Sequence, residues 1–117
     1  MRSSIKIESS VPLSAKKLLW SRQSRKYQLL ANTFKTLGDY SRVRIVSALV
    51  EGEKCPSEIA ERVDLSPSAV SHHLKILRRA NLVRVRREHR QIFYALDDQH
   101  INELFEAGVE HVEELRI

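Results

Sequence analysis

His100 and His111 are the side chains whose type and spacing most directly suggest chemistry. They stand eleven residues apart in a segment of helical periodicity. At 100° per residue the offset is about 20°, so both lie on one face. Along the axis they are separated by roughly 16 Å. One ion with bonds of about 2 Å does not bridge that distance within a single helix. An antiparallel two-fold pairing of two such helices closes the gap. It brings Asp98 and His100 of one chain beside the partner subunit's His111 and Glu114, the latter two projecting together at i, i+3. Each of two equivalent sites then holds two imidazoles and two carboxylates. That set suits tetrahedral Zn(II), admits Co(II) or Ni(II), and offers thiophilic ions no sulfur. Simpler roles stay open on pattern alone. Asp97 or Asp98 suits the N-cap of the helix, and Asp98 can do both; Glu103, Glu106, Glu110 and Glu113 suit a solvated face.

The segment Ser66–Arg79 carries a second kind of chemistry. Ser66 is a good N-cap and Pro67 fits the first helical position. Val70, Leu74 and Leu77 make an apolar stripe at i, i+4, i+7. Off that stripe lie Ser68, Ser71, His72 and Lys75, short donors and a cation of the types that reach base edges and phosphates in a major groove. His73, about 100° from His72, is a poor co-ligand and reads as a packing or hydrogen-bonding residue. His89 reads as a turn residue.

The elements that must hold these residues follow from the chain in order. Residues 1–11 lack helical periodicity and read as a loose arm, leaving residues 12–117 as one domain. After Pro12, Ser14 to about Gln23 reads as a short helix with Leu18, Leu19 and Trp20, suited to packing on a partner subunit. Lys26 to Leu37 reads as a further helix, with Leu30, Phe34 and Leu37 in phase and Gly38 as its stop. Asp39 or Ser41 then caps a largely buried helix from about Arg42 to Val50. Cys55–Val63 is a short helix, and Asp64-Leu65 the turn before Ser66, which is helix-turn-helix logic. Leu82–Arg86 alternates apolar and basic residues, and Gln91–Leu96 is β-branched and aromatic. Joined by residues 87–90, they form a β-hairpin, a wing whose Arg86, Arg87 and Arg90 suit phosphates. Asp97 to Ile117 is amphipathic, with Ile101, Leu104, Phe105, Gly108, Val112 and Leu115 in one sector, and reads as a dimer seam. The fold expected is mainly α with a small β-hairpin: a winged helix-turn-helix homodimer.

Charge agrees with that layout. The 117 residues carry a net +5, distributed as +6 over residues 1–30, −1 over 31–65, +6 over 66–96 and −6 over 97–117. A basic middle implies a polyanionic partner, which the helix-turn-helix and wing make double-stranded DNA. The acidic tail needs other work. No apolar run suggests a membrane span or secretory leader, and one cysteine excludes an internal disulfide framework, so a cytoplasmic protein is expected. With three glycines, no phosphate-binding Gly loop and no nucleophile–base arrangement, an enzyme is not expected.

Phe34-Lys-Thr-Leu-Gly-Asp39, Ser41-Arg-Val-Arg-Ile45, Leu65-Ser-Pro-Ser-Ala-Val-Ser-His-His-Leu74 and the hairpin from Arg86 to Tyr94 resemble the ArsR/SmtB family of metal-sensing repressors, over about residues 26–115. The resemblance implies a homodimer that represses at a palindromic operator and lets go when metal binds. It also implies a zinc site of the pattern Asp-x-His, ten residues, His-x-x-Glu, which Asp98, His100, His111 and Glu114 match. There are departures. Cys55 aligns with the first cysteine of the family's soft-metal site, but Ser57 holds the second position, and residues 1–30 contain no Cys or His. Tyr40 stands where the family usually has Pro, and His89 where the wing often has Gly. The alternative input is non-metal, or redox chemistry at Cys55.

Overall fold

The computed structural model describes residues 12–115. The expected arm, residues 1–11, lies outside them, as do residues 116 and 117 and the side chains of Leu19 and Trp20. The chain divides into two units, residues 1–32 and 33–117.

Helix α1, Leu13–Leu37, is a single helix of 25 residues where the sequence reading expects two. No Gly or Pro interrupts 24–26, and Gln, Arg and Lys around that point are good helix formers. Within residues 12–32 the helix exposes Leu13, Leu18, Tyr27 and Leu30.

The second unit begins with the last turns of α1. Then come α2 (Tyr40–Val50), α3 (Pro56–Val63), α4 (Pro67–Arg79), β1 (Val83–Glu88), β2 (Gln91–Leu96) and α5 (Gln99–Glu113). Local chemistry sets most boundaries. Asp39 caps α2, its carboxylate accepting from the Arg42 amide at 3.1 Å. Ser66 caps α4, accepting from the Ala69 amide at 3.1 Å. Two helices end in left-handed residues, Asp64 (φ 56°) after α3 and Asn81 (φ 59°) after α4. Each is followed by an amide reaching back to close a Schellman turn: Leu65 N–H to the Ala60 carbonyl (3.2 Å), and Leu82 N–H to that of Leu77 (2.9 Å).

The core is one cluster. Ile45, Val46 and Leu49 of α2 meet Ile59 and Val63 of α3, Val70, Leu74 and Leu77 of α4, then Leu82 and Val83. Burying each large side chain is worth about 2 kcal/mol. Ile101 and Phe105 of α5 pack on its edge, yet no residue of α5 is fully buried.

β1 and β2 form an antiparallel hairpin with Val85 opposite Tyr94 and Arg86 opposite Phe93. β1 runs to Glu88, so the turn is only His89-Arg90, where the sequence reading has residues 87–90. Both turn residues are left-handed (φ 50° and 70°), the φ signs of a type I′ turn. Lys54 adds a third edge, exchanging backbone hydrogen bonds with Tyr94 at 3.0 and 2.8 Å. Among the described residues no helix is long and apolar enough to cross a membrane.

Candidate nucleic-acid interface and metal ligands

Helix α4 turns its polar residues outward. Ser68, Ser71, His72 and Lys75 follow at i, i+3, i+4, i+7 and are all exposed, while Val70, Leu74 and Leu77 behind them are buried. The stripe that packs the helix thus fixes the direction of the polar face.

His73 turns inward. Its side chain is 17% exposed, and Nδ1 lies 4.0 Å from Asp39 Oδ2, with no hydrogen-bond partner closer. Arg42 Nε approaches the same oxygen at 3.7 Å. The Arg42 amide, and then the charges of Arg42 and His73, hold the Asp39 carboxyl below the usual carboxylate range against some opposing desolvation. The sequence reading found the cap and the inward histidine but not their meeting, because 34 positions separate them.

The wing arginines divide. Arg87 and Arg90 are exposed, and the described ion pairs include neither. Arg84 Nη1 donates to the Asp97 carbonyl at 3.0 Å. Arg86, expected on phosphates with Arg87 and Arg90, has its guanidinium occupied within the chain. Nε and Nη2 fork onto the two Glu53 oxygens at 2.9 and 2.6 Å, and Nη1 donates to Glu88 at 2.9 Å. The guanidinium carbon sits 4.7 Å from the centroid of the Phe93 ring.

The four candidate metal ligands lie at the two ends of α5. Asp98 is the N-cap, its Oδ1 accepting from the Ile101 amide at 3.1 Å, while Oδ2 lies 3.7 Å from His100 Nδ1. His100 is 88% exposed in its side chain. His111 is exposed in the last turn, and Glu114 is the C-cap. Among the described residues of one chain, no group of three or more His, Cys, Asp or Glu converges to hold an ion. The donors are exposed imidazoles and carboxylates, a set that fits zinc once a second chain brings the other pair. Between the two ends runs an apolar groove of about 650 Å³, lined by Phe34, Leu37, Val43, Leu104, Val109 and Val112 and bordered by His111.

Cys55 is the N-cap of α3. Its amide donates to Glu58 at 2.9 Å, and Sγ lies 3.2 Å from Ser57 Oγ.

A trihelical core, an exposed polar recognition face and a basic hairpin define a winged helix-turn-helix regulator of the DNA-binding type. Residues 39–85 match the family model of bacterial regulatory proteins of the arsR family. The chain is 41% identical over 87 residues to a transcriptional repressor SmtB homolog of Synechocystis sp., covering 74% of this chain and 66% of that one. It is 36% identical to a cadmium resistance regulatory protein CadC homolog of Staphylococcus aureus, covering 74% and 72%. A solved homodimeric winged helix-turn-helix DNA-binding domain from Mycobacterium bovis, a possible ArsR-family regulator, superposes with a TM-score of 0.72 at 25% identity, over 82% of this chain and 93% of that one. The chain belongs to the ArsR/SmtB family of transcriptional regulators, which are not enzymes. The SmtB homolog is 66% spanned, just under two thirds of its length.

Proposed function

We propose that this chain is a metal-responsive repressor, acting in the cytoplasm as a homodimer on operator DNA and released by Zn(II), with Co(II) or Ni(II) as possible substitutes. Residues 12–117 serve as its DNA-binding and dimerisation domain. The observation that carries the reading is α5: two exposed donor pairs at opposite ends of one helix, with an apolar groove between them. That arrangement is what an antiparallel seam with two metal sites requires.

Ser68, Ser71, His72 and Lys75 enter the major groove, and Arg87 and Arg90 hold phosphates on either side. Asp98 and His100 of one chain face the partner subunit's His111 and Glu114. Bound there, zinc supplies a cross-link between the two α5 helices. The groove residues position the helices, and the spacing of the two recognition faces follows from their angle. A geometry that fits the operator badly lowers affinity, with a coupling of about 1–3 kcal/mol. The repressor and cadmium-resistance names of the relatives support a metal input.

The test is operator affinity by fluorescence anisotropy for wild type and His100→Ala, in chelator and with one zinc per protomer. Zinc is expected to weaken wild-type binding about tenfold or more, about 1.4 kcal/mol, and to leave the variant bound. Equal binding of both proteins with and without zinc rejects the α5 site as the switch.

A further inference from the structure

We propose that Glu53 and Arg86 are positioning residues that lock the wing against the helix-turn-helix, so that Arg86 serves DNA binding without touching DNA. The inference rests on the reading of this chain as an operator-binding protein.

The geometry has three parts. The fork between Arg86 and Glu53 is bidentate, with bonds of 2.9 and 2.6 Å, and a third nitrogen is taken by Glu88. Such a planar fork fixes direction as well as distance. Phe93, the cross-strand partner of Arg86, lies under the guanidinium and leaves it little room to turn away. Finally, Glu53 is itself anchored. Its neighbour Lys54 pairs with Tyr94 through two backbone hydrogen bonds and sends Nζ to the Ala48 carbonyl of α2 at 2.9 Å. The wing is therefore joined to α2 through a short strap, residues 51–55, and the fork is the side-chain half of that joint.

Charge points the same way. One guanidinium facing two carboxylates adds no positive potential to the wing. Attraction for phosphate falls to Arg87 and Arg90. The pair is also half-exposed, at 45% for Arg86 and 36% for Glu53, where ion pairs add little to stability. What a rigid exposed fork offers is orientation. A wing held at one angle presents Arg87 and Arg90 to the DNA backbone at a lower ordering cost on binding.

The experiment exploits a difference in sign. A duplex is first selected from random-sequence DNA with wild-type protein, and Glu53→Gln and Arg86→Lys are compared on it over a salt series. Removing a carboxylate beside DNA ordinarily strengthens binding. If the fork positions the wing, Glu53→Gln instead binds the duplex about fivefold more weakly, and the dependence of log K on log salt keeps its slope. Arg86→Lys, which retains the charge and loses the fork, weakens binding alike. In the DNA-free protein both changes speed hydrogen exchange at the Lys54 and Tyr94 amides without lowering the thermal midpoint appreciably. Glu53→Gln binding equally or more tightly, with a slope steeper by about one, overturns the inference and makes Arg86 a latent phosphate contact. Unchanged amide exchange overturns it without reference to DNA. A wild type that selects no duplex overturns the operator-binding reading as well.

Discussion

Oδ2 of Asp39 has three nitrogens around it: the Arg42 amide at 3.1 Å, Arg42 Nε at 3.7 Å and His73 Nδ1 at 4.0 Å. One atom thus caps α2 and faces the recognition helix. Its carboxyl is held below the usual range, so the unfolded chain takes up a proton before the folded one does. The stability this contributes is present at neutral pH and is lost as pH falls through the carboxylate range. Asp39→Asn keeps a cap of equal quality and loses the charge. Its urea midpoint is expected below wild type at about pH 7, with the two curves converging as pH falls below the carboxylate range. Asp39→Ala loses the cap too, at a further cost of about 1 kcal/mol. The cap was legible in the sequence because its partner is three residues away. His73 as the second neighbour was not, and neither was Glu53 as the acceptor of Arg86, 33 residues upstream. An arginine on a strand reads as solvent-facing until its carboxylate is found, and that carboxylate lies in a polar loop with no periodic pattern.

Helices proved easier to read than their junctions. The α4 boundaries follow from Ser66, Pro67 and the Val70–Leu74–Leu77 stripe, all local signals. In α1, read from the sequence as two helices, a continuous run of helix formers over 24–26 carries the backbone through. The wing turn was placed but read two residues too long. The usual I′ signal, Asn-Gly, is absent, and His89-Arg90 adopts the same left-handed geometry at some strain. His89→Asn is expected to recover part of the roughly 1 kcal/mol that left-handed backbone costs an ordinary residue. The checks are a small rise in the urea midpoint and slower amide exchange along β1 and β2.

At the scale of the molecule, residues 33–117 hold together around one core, yet Phe34, Val109 and Val112 remain 52%, 39% and 50% exposed along the groove. In the proposed dimer this is the seam. Val112→Glu, a change at a half-exposed position, is expected to leave the far-ultraviolet circular dichroism as it was. It should shift sedimentation equilibrium toward the monomer and remove any dependence of the thermal midpoint on protein concentration. The amphipathic stripe of α5 and the spacing of its histidines were legible from one chain. The pairing that would join Asp98 and His100 to a distant end is a property of two chains, and it entered through the symmetry a split donor set demands.

Asp98 turns its two oxygens to different neighbours, one capping the start of α5 and the other lying 3.7 Å from His100, and the proposed site gives it a second job there. The first job needs only an acceptor, and a serine or asparagine supplies one; the proposed second job needs a carboxylate. Under that assignment, sensing is a trait a lineage can shed by one substitution without losing the scaffold. A descendant living where metal is never in excess inherits a folded repressor that no longer answers, and the same helix, still capped, stays available for another signal.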